Sequence, residues 1–331
     1  MKKVVFAFAD RDYEFNTSIH RCIIPAKALQ DIGHDVSLCH TSEMGEIHAD
    51  VVFVERQLYA PEVHYNIQRL KKEGAKAIAT WDDAYHIMPD YIRSKPTWNK
   101  ENVAKFRHCL KFVDCAIVPS EVLADDFRRY CKDIRVVKNY CDGELYQVSH
   151  ETKLGQVRLF YGGNDTHYHS IIESGILPAL QKVFDKYPKV VMYAVGSPMI
   201  TNLFTSSLPE GRVATHGWIQ FEEWPRFVAE HADIILAPLS GEYDRRRSCI
   251  KANDAAMFSL PMVATDLEPY RGTGVHLVPN DDKEWFRAIS NLVFSDIARM
   301  TLGKKIHRTM GDCTMAGNIG KYKEIINVFE S

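Results

Sequence analysis

The stretch Tyr243–Arg271, which reads YDRRRSCIKANDAAMFSLPMVATDLEPYR, decides the fold. It predicts a basic loop, a helix and a strand in succession. Residues from about Cys249 to Phe258 have helical spacing, and Pro261 ends the helix because proline cannot continue one. Met262–Thr265 then reads as a short buried strand. A helix that leads directly into a buried strand is typical of parallel α/β sheets.

The basic loop and the first helical turn together form a predicted anion site. Free backbone N–H groups and the helix dipole attract negative charge at a helix N-terminus. Arginine forks bind phosphate oxygens and stabilise a departing diphosphate, and a carboxylate one turn further can accept hydrogen bonds from a ribose. The alternative is that the arginines form a solvent-exposed face without a ligand. The residues predicted to bind a nucleotide diphosphate here are Arg246, Arg247, Ser248, Lys251 and Asp254.

The same stretch resembles the nucleotide-binding segment of group 1 (family-4-like) glycosyltransferases of the GT-B fold. Their usual pattern is Lys or Arg followed by x-x-E-a-a-x-G-x-P-v-v-a-s-d. This chain has KANDAAMFSLPMVATD from Lys251 to Asp266, with Asp254 at the ribose-binding Glu and Ser259 near the Gly. Arg246 stands where the family often has another Glu. The resemblance implies a nucleotide-diphosphate sugar as donor and an acceptor hydroxyl as its target.

Strand and helix patterns alternate along the whole chain, which predicts parallel sheets covered on both faces. We therefore expect an α/β protein of the GT-B fold, with two Rossmann-like doubly wound domains facing a cleft. The predicted divisions are an acceptor domain at 1–145, a nucleotide-sugar domain at 155–310, and a final segment at 311–331 whose helix crosses back to the first domain. Asn139 and Asp142 resemble the joint between the domains in the same family.

Two further features of the second half are predicted to contact the donor. Gly162 and Gly163 follow a predicted strand and precede a helix, so their backbone could approach a diphosphate. A plain turn is the alternative. Trp218 also follows a strand, where the family wraps backbone around the base, but an anchor in the core is equally compatible with the sequence.

Asp82 and Asp83 follow the fourth predicted strand and are the candidate catalytic residues. A carboxylate there could act as general base on an acceptor hydroxyl, and capping of a loop is the alternative. Asp10 and Asp12 have the D-x-D form of metal-dependent transferases, but they follow the first strand, so no metal ligand is predicted. The resemblance implies no cofactor beyond the nucleotide sugar itself.

A basic stretch at 91–111 is the candidate acceptor surface. Aromatic residues are interleaved with its basic ones, and Lys100, Arg107 and Lys111 are predicted to share one helix face. Such a face could hold nucleic-acid phosphates or an acidic lipid head group. The acceptor is therefore predicted to be a saccharide or, as in phage-type DNA-modifying enzymes of this fold, a hydroxymethylated base in DNA. A solvated face is the alternative.

Composition agrees with a soluble globular protein. The chain has 331 residues, of which 46% are hydrophobic and 25% charged, and its net charge of −2 implies no nucleic acid by itself. The eight cysteines are scattered without a C-x-x-C pair, which indicates reduced thiols and a cytoplasmic location. A nucleotide- or sugar-binding protein without catalysis remains the non-enzyme alternative.

Overall fold

The computed structural model describes residues 2–10, 16–151 and 155–327. The chain forms two compact units. The first unit contains Met1–Asp142, Arg246–Ser248 and Thr314–Ser331, and the second contains Gly143–Arg245 and Cys249–Cys313. The first unit is therefore assembled from three separate stretches of sequence.

The first unit is built on a six-stranded sheet in which every neighbouring pair is parallel. The order across the sheet is β2-β1-β3-β4-β5-β6. The chain therefore reverses its direction of travel across the sheet between β1 and β3. The strands are β1 Lys3–Phe8, β2 Asp35–His40, β3 Val51–Glu55, β4 Lys76–Thr80, β5 Cys115–Val118 and β6 Ile134–Val136.

The second unit has its own six-stranded parallel sheet, in the order β12-β11-β10-β7-β8-β9. Counted from β7, this is the doubly wound order 3-2-1-4-5-6 of nucleotide-binding sheets. The reversal lies between β7 and β10. The strands are β7 Val157–Gly163, β8 Val190–Gly196, β9 Val213–His216, β10 Ile234–Ala237, β11 Met262–Thr265 and β12 His276–Val278.

Helices connect the strands in both units, as parallel pairing requires. A π-helical segment, Ile19–Ile23, lies between the first two helices, and several single 3₁₀ turns occur in the loops. The helices are α1 Asn16–Ser18, α2 Ile24–Asp31, α3 Pro61–Lys72, α4 Lys100–Cys109, α5 Glu121–Phe127, α6 Tyr168–Glu173, α7 Ile176–Lys186, α8 Pro198–Ser207, α9 Trp224–His231, α10 Gly241–Asp244, α11 Ile250–Met257, α12 Asp282–Phe294, α13 Asp296–Met310, α14 Met315–Asn318 and α15 Gly320–Asn327.

The core of the first unit includes a residue from near the end of the sequence. The rings of Phe6 and Phe53 stack at 4.3 Å on neighbouring strands. Tyr322, on α15, is fully buried, with its ring 6.3 Å from Phe6 and 5.8 Å from Phe53. Helix α15 therefore completes the hydrophobic core that β1 and β3 begin.

The predicted fold class is confirmed. The spacing of apolar residues also predicts a single α-helix at 170–186 and another at 19–32, and the structure corrects both. The helix predicted at 170–186 is divided at Gly175, which has φ 79° and precedes α7. A Cβ at Gly175 would lie 2.9 Å from the backbone N of Asp282, so α7 and α12 approach too closely for any other residue. The helix predicted at 19–32 begins instead with the π-helical segment and becomes α-helical at Ile24.

Candidate functional site

The reversal of strand order in the second unit marks its candidate ligand site. In open parallel sheets, ligands bind at the carboxyl ends of the strands where the order reverses. Strand β7 ends there with Gly162 and Gly163, and Asn164 caps the turn that follows, accepting a hydrogen bond from the backbone N of Thr166 at 3.2 Å. The predicted glycine turn therefore lies at the position where this fold class binds its ligands.

The glycines at this position also have a packing role. A Cβ at Gly162 would lie 2.3 Å from the indole of Trp224, and one at Gly196, at the end of β8, would lie 1.8 Å from the carbonyl oxygen of Gly163. Gly196 has φ 127°, which also favours glycine. The strand ends are thus closely packed, and the side chains of Trp224 and Tyr161 lie where Cβ atoms on Gly162 and Gly163 would stand.

Asp254 is buried behind this turn, with 6% of its surface exposed. Trp224 Nε1 donates to its Oδ2 at 3.2 Å, and the hydroxyl of Tyr146 donates to its Oδ1. Burial raises the pKa of Asp254 to about 6, although both hydrogen bonds and the nearby charge of Lys251 favour the ionised form. Its predicted ribose contact stays a prediction, and a ribose would share these oxygens with two protein donors.

Lys251 lies in the first turn of α11, as the sequence predicted. Its Nζ is 5.6 Å from the ring centroid of Tyr161, the residue immediately before the glycine turn. The helix ends at Ser259, which has φ 51°, the left-handed conformation that favours glycine. The left-handed conformation of Ser259 therefore explains why the related glycosyltransferase pattern has glycine near this position.

The predicted arginine clamp is distributed differently from the expectation. Arg246, Arg247 and Ser248 belong to the first unit, whereas Lys251 and Asp254 belong to the second. Arg246 forms a two-pronged ion pair with Asp126, and Arg247 Nη1 lies 3.9 Å from Asp83 Oδ1. Ser248 Oγ accepts a hydrogen bond from Asn139 Nδ2 at 3.3 Å. Arg245, which was not in the predicted set, pairs with Glu242 and Glu268 of the second unit. Each arginine thus has a carboxylate nearby, and the clamp stays a prediction.

Trp218 follows β9 and is 41% exposed. The alternative that it anchors the core is therefore wrong, and its predicted contact with a base is untested.

The reversal of strand order in the first unit brings together a charged cluster that the sequence analysis missed. Asp10 follows β1, and Glu55 and Arg56 stand at the end of β3. Arg56 Nη1 donates to Glu55 Oε1 at 2.7 Å, and its Nη2 donates to Asp10. Ser18 Oγ lies 2.9 Å from Asp10 Oδ2 and 2.5 Å from Glu55 Oε2. Burial raises the pKa of Glu55, although the charge of Arg56 and the hydrogen bond from Ser18 favour its ionised form.

Arg56 has φ 28°, an uncommon conformation for a residue with a side chain. Such backbone strain concentrates at functional sites. The sequence signal was available, because Glu55-Arg56 ends an otherwise apolar strand. Asp10 is held by Arg56 and Ser18, while Asp12 lies outside the described residues.

Asp82 and Asp83 follow β4 in the same unit, as predicted. Asp82 Oδ1 is buried and has no hydrogen-bond partner within the described part of the chain. Burial, followed by the negative charge of Asp83, raises the pKa of Asp82 to about 7. A carboxyl group with this pKa exchanges protons readily at neutral pH.

The three predicted acceptor residues differ in environment. Lys100 and Lys111 are exposed, whereas Arg107 is half-buried, with its guanidinium 5.3 Å from the ring centroid of Tyr130. Of the interleaved aromatics, Trp98 stacks on Tyr85 at 4.1 Å and is 4% exposed, and Phe106 is also buried. These two rings form the core beneath α4, so they do not belong to the candidate acceptor surface.

Solved structures with the same architecture cover nearly the entire chain. The Anabaena protein HepE, solved with UDP and glucose, matches with TM-score 0.72 over 100% of both chains at 13% identity. Sucrose-phosphate synthase from Thermosynechococcus elongatus matches with TM-score 0.70 over 99% of both chains at 12% identity. The chain has the GT-B fold. MnaA from S. aureus, solved with UDP, matches with TM-score 0.61 at 12% identity. The match covers 99% of this GT-B chain and 97% of MnaA.

The sequence itself matches no family model and shows no significant similarity to a curated protein. In the described ranges, no helix of the GT-B chain is long and apolar enough to cross a membrane. All eight cysteines are free thiols.

Proposed function

We propose that the protein is a glycosyltransferase that moves a sugar from a nucleotide-diphosphate sugar to an acceptor hydroxyl. The observation that carries the proposal is the site at the β7–β10 reversal of the second unit. There the glycine turn packs against Tyr161 and Trp224, and these two side chains in turn contact Lys251 and Asp254 of α11. The solved structures of HepE and MnaA, which share the fold over their full length, contain UDP.

In this proposal, the second unit binds the donor. The Lys251 ammonium neutralises the diphosphate, and backbone N–H groups near Gly163 approach its oxygens. Each carboxylate oxygen of Asp254 can accept two hydrogen bonds, so a ribose hydroxyl can donate to it beside Tyr146 or Trp224. Positive charge on Lys251 also stabilises the departing diphosphate, so that no metal ion is needed for this role.

The first unit supplies the acceptor side of the reaction. Asp82 has a pKa of about 7 and a buried oxygen that has no partner among the described residues, and it accepts the proton of the acceptor hydroxyl. Asp83 Oδ1 lies 3.9 Å from Arg247 Nη1, and its negative charge contributes to the raised pKa of Asp82. Burial and this neighbouring charge therefore suit Asp82 to accept a proton.

A saccharide acceptor is favoured over a base in DNA. Stacking on flipped or single-stranded bases needs exposed rings. Of the aromatic residues Tyr91, Trp98 and Phe106 in the basic stretch, Tyr91 is exposed, whereas Trp98 and Phe106 are buried. Lys100 and Lys111 remain available for an anionic group on the acceptor. Transfer to hydroxymethylated DNA with a steep dependence on salt would overturn this choice.

The test uses a panel of nucleotide sugars. For each one, binding to the protein is measured, and release of the nucleotide is measured with and without simple glycoside acceptors. Asp82→Asn should retain donor binding and reduce turnover by roughly 100-fold or more, whereas Asp90→Asn, at a highly exposed position, should have no effect. A chelator should leave turnover unchanged. Interconversion of two epimeric nucleotide sugars without any acceptor would overturn the transferase assignment, because an epimerase can share this fold.

A further inference from the structure

The second unit carries an exposed apolar patch where α12 meets α13. Phe294 is 82% exposed, Ile297 72% and Met300 57%. In the described part of the chain, they are three of the four most exposed large apolar side chains. Single exposed apolar residues are normal on protein surfaces, but three within seven positions mark an interaction surface. We refer to Phe294, Ile297 and Met300 as the elbow patch.

The junction of the two helices holds the elbow patch in place. Ser295 Oγ accepts from the backbone N of Ala298 at 3.1 Å and caps α13. Arg299 Nη1 donates to the carbonyl oxygens of Leu292 at 2.6 Å and Val293 at 3.3 Å, which joins the end of α12 to the first turn of α13. These bonds fix the backbone at the junction, and therefore the direction in which the Phe294 side chain projects.

The opposite face of α13 packs against the second unit. A Cβ at Gly303 would lie 1.8 Å from the carbonyl oxygen of Ser259, and Ile306 is fully buried. With 3.6 residues per turn, Ile297 lies on the side of α13 opposite Ile306. Met300 lies one turn before Gly303, at the edge of this contact, and is still 57% exposed. The helix cannot roll to bury them without separating Gly303 from Ser259.

Positive charge continues along the outward side of α13. Lys304, Lys305 and Arg308 are exposed, and within the described ranges none of the three forms an ion pair with a carboxylate. Asp296 is the one acidic residue of α13, and Arg299 pairs with it. The outward side of the helix is therefore apolar at its beginning and basic at its end.

We propose that the elbow patch and the basic end of α13 dock on an anionic lipid surface. Apolar side chains on one face insert at the boundary between head groups and acyl chains, and lysine and arginine beside them meet the lipid phosphates. The unpaired positive charge favours an anionic surface over a second copy of the chain, because a two-fold contact would bring this charge towards its own counterpart. The inference is independent of the proposed catalytic activity.

The test is co-flotation of the full chain with vesicles of phosphatidylcholine, alone or mixed with phosphatidylglycerol. The wild type should float with the mixed vesicles and weakly or not at all with pure phosphatidylcholine. Replacing the elbow patch by Phe294→Ser, Ile297→Ser and Met300→Ser should reduce the bound fraction about tenfold or more. Tyr65→Ser, at an exposed site on α3 of the first unit, should leave flotation unchanged.

A charge-reversed pair tests the electrostatic part separately. Lys304→Glu with Arg308→Glu should abolish the preference for phosphatidylglycerol. Arg226→Glu with Lys283→Glu changes the net charge equally at exposed positions near the starts of α9 and α12, and it should retain the preference. Melting curves of all variants check that they fold.

Equal flotation of the wild type and the serine variant would overturn the proposal, as would loss of the preference in both charge variants. Light scattering that gives twice the chain mass for the wild type, and a single chain for the serine variant, would instead assign the elbow patch to an interface between copies.

Discussion

Asp254 gives the most stringent test of the second unit's site. Burial raises its pKa from the ordinary 3.8 to about 6. This difference corresponds to roughly 3 kcal/mol between the protonated and ionised forms in the folded protein. The folded state therefore binds a proton more tightly than the unfolded state does. The stabilising contribution is fully present below pH about 3.8, and it is lost as the pH rises through about 6.

The perturbation is Asp254→Asn, which keeps the shape and removes the titration. The free energies of unfolding of the two proteins should differ in how they depend on pH, because all groups other than Asp254 titrate equally in both. From about pH 7.5 to about pH 4.5, wild type should gain roughly 2 kcal/mol of unfolding free energy relative to the variant. At neutral pH, the variant should be at least as stable as the wild type, because it avoids the cost of burying an ionised group.

The assay is urea unfolding of both proteins, followed by tryptophan fluorescence across this pH range. Asp296→Asn is the control, since its carboxylate is 85% exposed. A difference between wild type and Asp254→Asn that stays constant with pH would refute the argument. So would a wild type that gains stability relative to the variant as the pH rises.

Three further predictions concern the same unit. Gly162→Ala should cost about 1–3 kcal/mol of stability because its Cβ would displace the Trp224 indole. Gly217→Ala is the control and should be tolerated, since there is open space around its Cβ. Equal urea midpoints for the two variants would contradict the packing role of Gly162. Ser259→Gly should stabilise by about 0.5–1 kcal/mol by relieving its left-handed backbone, and a lower melting temperature would show that the conformation carries no strain. Lys251→Ala should raise the dissociation constant for UDP roughly 10- to 150-fold in calorimetry, and unchanged affinity would place the diphosphate elsewhere.

The sequence predicted the elements around Lys251 well because local signals determine them. Pro261 and the apolar run Met262–Thr265 fix the end of α11 and the position of β11 whatever the rest of the chain does. The glycine turn was equally visible. Its role in making space for Trp224 was not, since that contact joins residues 62 positions apart.

The charged side chains were harder to assign. Arg246 looks like part of a phosphate clamp in the sequence, but its partner Asp126 lies 120 positions earlier. The cluster of Asp10, Glu55 and Arg56 depends on strand order, which brings the ends of β1 and β3 together. Periodicity reports which face of an element is buried, but it carries no information about such distant partners.

The position of Tyr322 has a consequence for how the protein is made. Phe6 and Phe53 emerge from the ribosome early, whereas Tyr322 on α15 emerges only after the entire second unit has been synthesised. At about 5–20 residues per second, the first sheet waits roughly 10–40 seconds for the side chain that closes its core. During that interval the nascent chain exposes two stacked phenylalanines. A chaperone that recognises apolar segments should therefore associate with chains stalled before Tyr322 and dissociate once α15 has emerged.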